Sequence, residues 1–197
     1  VVLSYNADGV LTNGVPNTSY TPSEFCVIAT EDNTRINVVP SVPSLASGMS
    51  TKSFVLSKGQ AWLCQSDFSS SQLNYDFSGT RIIASAPVAV FSGHQRAMIP
   101  LSARSSLSSR DHLFEQLPPL SVWGSSYIIT PLAQPPGAPG VLGAYDLYRV
   151  IAAYDNTIVK FNDVVIARLN RNQIFEAPLT AAGLLTASNK VCVALLK

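Results

Sequence analysis

The stretch ATEDNTRINV, Ala29 to Val38, returns later in the chain as AAYDNTIVKF, Ala152 to Phe161. Each copy is followed by two further matched stretches in the same order. VLSKGQAW (Val55 to Trp62) and IASAPVAVF (Ile83 to Phe91) follow the first; RLNRNQIF (Arg168 to Phe175) and TASNKVCVA (Thr186 to Ala194) follow the second. The offset between copies falls from 123 to 113 to 103 residues, so the second copy has two shorter connections between its matched segments. Length changes in surface connections are what a β scaffold tolerates best. The repetition therefore predicts two related units of about eighty to a hundred residues, a size that suits a small antiparallel sandwich.

The local writing agrees. Few segments have helical periodicity. The patterned ones are short, rich in Val, Ile, Phe, Tyr and Thr, and bounded by Gly, Pro, Asn, Asp or Ser. In FCVIATEDNTRINVV an apolar run from Phe25 meets Asp32 and Asn33, and an alternating run follows from Arg35 to Val39. Asp and Asn bond their local backbone and tolerate positive φ, so this stretch predicts a tight hairpin, with Asp155 and Asn156 turning its counterpart.

The expected fold is all-β: two duplicated, jelly-roll-like antiparallel sandwich units in tandem, 1–94 and 123–197, joined by a crossover linker over 95–122. Within the linker, RDHLFEQL predicts a short helical turn, with Asp111 early and Pro118 and Pro119 stopping it. PLAQPPGAPGVLGAYD, Pro131 to Asp146, reads as a loop. Val27, Ala29, Ile83, Val88 and Val90 are the expected core of the first unit, matched by Val150, Ala152, Leu185, Val191 and Val193 in the second.

Charge excludes two classes of partner. Of 197 residues only 13% are charged, and the net charge is +1, so neither nucleic acid nor an anionic membrane surface is indicated. The most apolar run, RIIASAPVAVF, is about half a bilayer span and contains Pro87, which predicts a buried strand and no membrane insertion. The opening VVLSYNADGV lacks a basic start, an apolar stretch and a small-residue cleavage site, and reads as the start of a processed or excised piece. Cys26, Cys64 and Cys192 share no CxxC spacing; they read as buried free thiols, with a Cys26 to Cys64 disulfide as the alternative in an oxidising compartment.

His94, His112, Asp111 and Glu115 form the one constellation with metal or acid/base chemistry in reach. On a helical turn His112 and Glu115 face one way, and His94 would make a third zinc ligand. No HExxH or paired-His spacing accompanies them, so the preferred reading gives these groups hydrogen bonds that fasten the linker to the sandwich edge. No GxSxG signals a nucleophile. Asn6, Asp8, Asp32, Asn33, Asp155 and Asn156 offer loop oxygens without the acidic density of a calcium loop. Asn17 opens an NTS sequon, and Arg96, Arg104 and Arg110 read as solvated charge, with an acidic glycan as the alternative ligand. No catalytic, metal or cofactor residue is assigned.

FSGHQRAMIP, then RDHLFEQLPPLSVWGSSYIITPL, then LYRVIAAYDNTIV resembles the N-terminal domain of IgGFc-binding proteins, a family of mucus-associated animal proteins and large bacterial surface or secreted proteins. The shared pattern runs from Ser92 through Trp123 to Thr157, and ATEDNTRI and GTRIIASAPVAVFSGH extend it upstream. Many relatives have a Cys immediately before Asp111; this chain has Arg110. The resemblance implies an extracellular, secreted or surface protein of several domains, with a protein or glycan partner or self-association. It makes His94, Asp111, His112, Glu115, Gln116 and Trp123 motif residues with a structural task, latching the linker where the units meet.

The expectation is thus a non-enzymatic extracellular adhesive or structural binding module needing no cofactor. A self-assembling filament or matrix subunit is the first alternative, and a metal-dependent hydrolase centred on His94, His112 and Glu115 the last.

Overall fold

The computed structural model describes residues 1–7, 11–12, 15–16, 21–67, 75–100, 110–132 and 146–196. Among them every regular element is a strand except one 3-10 turn at Leu120–Val122, and every ladder between strands is antiparallel. No helix among these residues is long and apolar enough to cross a membrane. The chain divides into two compact units, Val1–Ala97 with Arg110–Pro118, and Met98–Ser109 with Pro119–Lys197.

The first unit holds β1 (Leu11–Thr12) and β2 (Val15–Pro16), paired with each other, then β3 (Ser23–Ala29), β4 (Thr34–Val39), β5 (Lys52–Leu56), β6 (Ala61–Gln65), β7 (Arg81–Ala84), β8 (Val88–Ala97) and β9 (Asp111–Gln116). One sheet has the order β6-β3-β8-β9 and another β5-β4-β7. Alternation along β3 buries Ser23, Phe25, Val27 and Ala29, and along β4 Thr34, Ile36 and Val38. These two apolar faces meet Val2, Leu56, Cys64 and Phe77 in one core, the solution that half-apolar sheets find by stacking. Phe25 is its centre, edge-on to Phe77 at 5.0 Å and to Trp62 at 6.0 Å.

The second unit holds β10 (Gly124–Ile129), β11 (Asp146–Ala152), β12 (Thr157–Phe161), β13 (Val164–Leu169), β14 (Ile174–Leu179) and β15 (Gly183–Leu196). Its path is β13-β12-β15-β11-β14, with β10 also on β15. β15 pairs β12 through Leu185–Ala187 and β11 through Val191–Leu196, so one strand serves two ladders in succession. Tyr148, Val150, Ala152, Val159, Leu169, Leu179, Leu185 and Val191 are buried together in a core of this unit's own.

The registers of the two units follow the offsets of the sequence. Val27 lies opposite Trp62 and Val90; Val150 lies opposite Phe175 and Val193. Ile36 lies opposite Phe54 and Ala84; Val159 lies opposite Ala167 and Ala187. Each pair of positions differs by 123, 113 or 103.

Several expectations need correction. The DNT stretches are not hairpins: β3 pairs β6 and β8 while β4 pairs β5 and β7, and likewise β11 pairs β14 and β15 while β12 pairs β13 and β15. Flanking strands that both bury one face satisfy themselves better in separate ladders around one core than side by side. RDHLFEQL is not helical; Asp111–Gln116 is a strand, because β8 offers an open edge on which Leu113 and Phe114 can be extended. Ile83 is 47% exposed, since Ile82 and Ala84 take the core-facing parity of β7. The alternative Cys26 to Cys64 disulfide is also removed, because Cys26 faces away from the core while Cys64, opposite Phe25, faces into it; all three cysteines are free. Asp8, Asn17, Arg104 and most of the 131–146 loop lie outside the described residues.

Candidate functional site

The DNT turns make the same bonds twice. Thr34 Oγ1 donates to Glu31 O at 2.7 Å and Thr157 Oγ1 to Tyr154 O at 2.8 Å. Asp32 Oδ1 accepts from the Lys58 amide and Asp155 Oδ1 from the Arg171 amide, both at 2.9 Å. Asn33 and Asn156 take the left-handed conformation, at φ 54° and 56°. Gln60 Oε1 caps the Ser57 amide as Gln173 Oε1 caps that of Asn170, and Ser85 Oγ accepts from Arg35 N as Ser188 Oγ does from Ile158 N. Asp32 Oδ1 and Asp155 Oδ1 are thus committed to closing the backbone, and no group of three His, Cys, Asp or Glu able to hold a metal exists among the described residues.

The motif residues divide by strand parity. In β9 the residues three apart, His112 and Glu115, project to opposite faces. His94, opposite Leu113 in register, lies on the Glu115 side, away from His112. The three residues of the imagined zinc site are therefore not brought together. His94 is fully buried, with Nδ1 accepting from the Arg96 amide at 3.0 Å where the β8–β9 register shifts before Ala97. Gly93 is small because a Cβ there would come within 3.1 Å of Leu113 O. Trp123 is buried, its amide closing the 3-10 turn onto Leu120 O. Asp111, His112, Glu115 and Gln116 are all exposed.

The structure assembles a surface that sequence reasoning missed. On the outer face of β6-β3-β8-β9, register sets Leu63, Cys26, Phe91 and Gln116 in one row, with Ala61, Ile28 and Ala89 in the next. Leu63 is 56% exposed and Phe114 63%. Phe114 stacks on Phe91 at 5.1 Å with the planes 9° apart, and His112 stacks on Phe114 at 6.0 Å. Polar character enters at one end, where Gln65 Nε2 donates to Glu24 Oε2 at 3.0 Å. Burial pushes the Cys26 thiol up, so it sits on this face as a neutral apolar group. The legible signal was in FCVIA, which is apolar at both parities where a strand with one wetted face should alternate.

A family model described as IgGFc binding protein matches residues 1–196. The human protein named IgGFc-binding protein is 37% identical to this chain over 82 residues, which is 42% of this chain and 1% of that protein, so the match spans a very small part of the relative's length. No solved structure matches.

Proposed function

The chain belongs to the IgGFc-binding protein family, and from that premise we propose that it is a non-enzymatic protein-binding module of a larger extracellular protein, adhesive or structural in role. Its two units are copies of one antiparallel sandwich in tandem; the matched registers and turn bonds support that reading. Asp111, His112, Glu115 and Gln116, with His94 and Trp123, keep a structural task, and Asp32, Asn33, Asp155 and Asn156 hold the turns. Location outside the cell rests on the family.

The observation that carries the reading is the outer face of β6-β3-β8-β9, where Leu63, Phe91 and Phe114 are presented on one sheet beside the carboxylate of Glu24. Exposed apolar area gathered on one face marks an interaction surface, whereas scattered apolar residues do not. Capture by the immobilised chain tests it, with IgG Fc as the first analyte because the human relative's name specifies that partner. Leu63→Glu and Phe114→Glu should each weaken capture without changing the circular dichroism. Capture that ignores both substitutions removes this face from the account, and a chain that captures no protein from a mucosal or serum panel removes the binding reading.

The same exposed face favours one second reading, a filament or matrix subunit that assembles through it. Light scattering over a wide concentration range separates the two. A constant mass leaves the display module, and a mass that grows with concentration and is held down by Leu63→Glu favours assembly.

A further inference from the structure

We propose that β9 is an acceptor edge for a strand contributed by another protein, and that the segment it takes alternates apolar or aromatic residues with cationic ones. The proposal deepens the protein-binding reading above and rests on it.

β9 ends its sheet. The Leu117 amide donates to Val90 O at 2.8 Å, and the register of Gln116 opposite Phe91 carries that pairing along the ladder. Leu113, Glu115 and Leu117 therefore turn their amide and carbonyl groups toward β8, and His112, Phe114 and Gln116 turn theirs away from the sheet. Asp111 Oδ1 already accepts the His112 amide at 2.8 Å. The outward amides and carbonyls of Phe114 and Gln116 have no hydrogen bond among the described residues. An unpaired strand edge of this kind is a template for strand addition.

The side chains state what kind of strand fits. An added antiparallel strand meets both outward groups of Phe114 with one residue, whose side chain then lies on the Phe114 face. That face already carries the stacked rings of Phe91, Phe114 and His112, so an apolar or aromatic residue extends the row. The neighbouring residue of the incoming strand projects to the other face, beside the exposed carboxylate of Glu115. Opposite charges across strands are favourable and like charges unfavourable, which selects a cation there.

The same rule argues against a second copy of this chain as the occupant. Asp111 and Glu115 share a face, so pairing β9 with itself sets Glu115 directly opposite Asp111 or Glu115 when Phe114 meets His112 or Gln116, and diagonal to both when Phe114 meets Phe114.

The test uses the full chain and three labelled synthetic peptides: one alternating Phe or Val with Lys, one with Glu replacing each Lys, and the Lys peptide N-methylated at alternate residues. Fluorescence anisotropy should rank the Lys peptide above the Glu peptide by about threefold or more, and N-methylation on the bonding edge should abolish binding. Glu115→Lys, on an exposed position that leaves the fold intact by circular dichroism, should reverse the ranking. Equal affinity for the two charged peptides, unimpaired binding after N-methylation, indifference to Glu115→Lys, or no binding at millimolar peptide would each overturn the proposal. So would concentration-dependent dimerisation lost on Phe114→Glu, which would make a second copy the occupant. A wild-type chain that still captures a protein through Leu63 while failing these peptides leaves the module reading standing and removes only the edge.

Discussion

Arg149 on β11 stands directly opposite Glu176 on β14, and its Nε donates to Glu176 Oε2 at 2.5 Å although the arginine side chain is only 2% exposed. A buried cation is tolerated when it is paired, and removal of one partner strips part of the compensation for its desolvation. Glu176→Ala should therefore lower stability by about 2 kcal/mol, less than for a wholly buried pair because Glu176 is 31% exposed. The double variant Arg149→Met with Glu176→Leu should recover most of the loss. Urea midpoints of the three proteins check both statements.

Asn33 and Asn156 should respond alike to substitution. Both sit in the left-handed region, where a β-branched side chain is strained and glycine is not. Asn33→Val and Asn156→Val should each cost about 1 to 2 kcal/mol, while the glycine variants should stay within a few tenths of the parent. Equal losses by urea titration are the expected outcome; a loss at one position alone would show that the shared turn bonds do not set the energy.

Burial in the core pushes the Cys64 thiol up to about 11 from an ordinary value of 9.0, with a smaller opposing contribution from the Ser44 hydroxyl. Folding therefore favours the protonated thiol. The stability this contributes is complete below pH 9 and is lost as pH rises through about 11. Cys64→Ala lacks that component, so the gap between parent and variant should narrow as the pH of the urea titration is raised from 8 to 11. A gap that stays constant would mean that the thiol does not ionise differently in the two states.

Gly183 opens β15 against Phe161. A Cβ at this position would lie 2.3 Å from Phe161 Cζ and 2.8 Å from Asn162 Oδ1, and the Asn162 oxygen is already committed to the Leu184 amide at 2.9 Å. Gly183→Ala should cost about 1 to 3 kcal/mol as an overpacked site. Phe161→Leu in the same chain should return part of it, with thermal midpoints as the measurement.

The sequence carried the strands and the equivalences between the units, because alternation in SEFCVIA and TRINVV and the DNT spacing are local properties that registers later obey. It could not carry which strands pair. Asp32 and Asn33 satisfy a hairpin turn and a crossing between ladders equally well, and the choice is made by core burial far away in sequence. DHLFEQ misled for a related reason: its residues suit either a turn of helix or an edge strand, and only the vacancy beside β8 decides. The row of Leu63, Cys26 and Phe91 left its trace only in FCVIA, because three strands distant in the chain contribute it, one residue each.

The continuity of β15 gives the second unit a mechanical character that the first lacks. Its fourteen residues pass without interruption from the β12 ladder to the β11 ladder, whereas in the first unit the corresponding path from β7 to β8 is broken at Ser85–Pro87. Tension on β15 is shared at once by three neighbours, β10, β11 and β12, while tension on β8 reaches a joint before it reaches β7. Pulled from its ends in a force spectrometer, the second unit should yield in one event at high load and the first should give way earlier, by parting β5-β4-β7 from β6-β3-β8-β9.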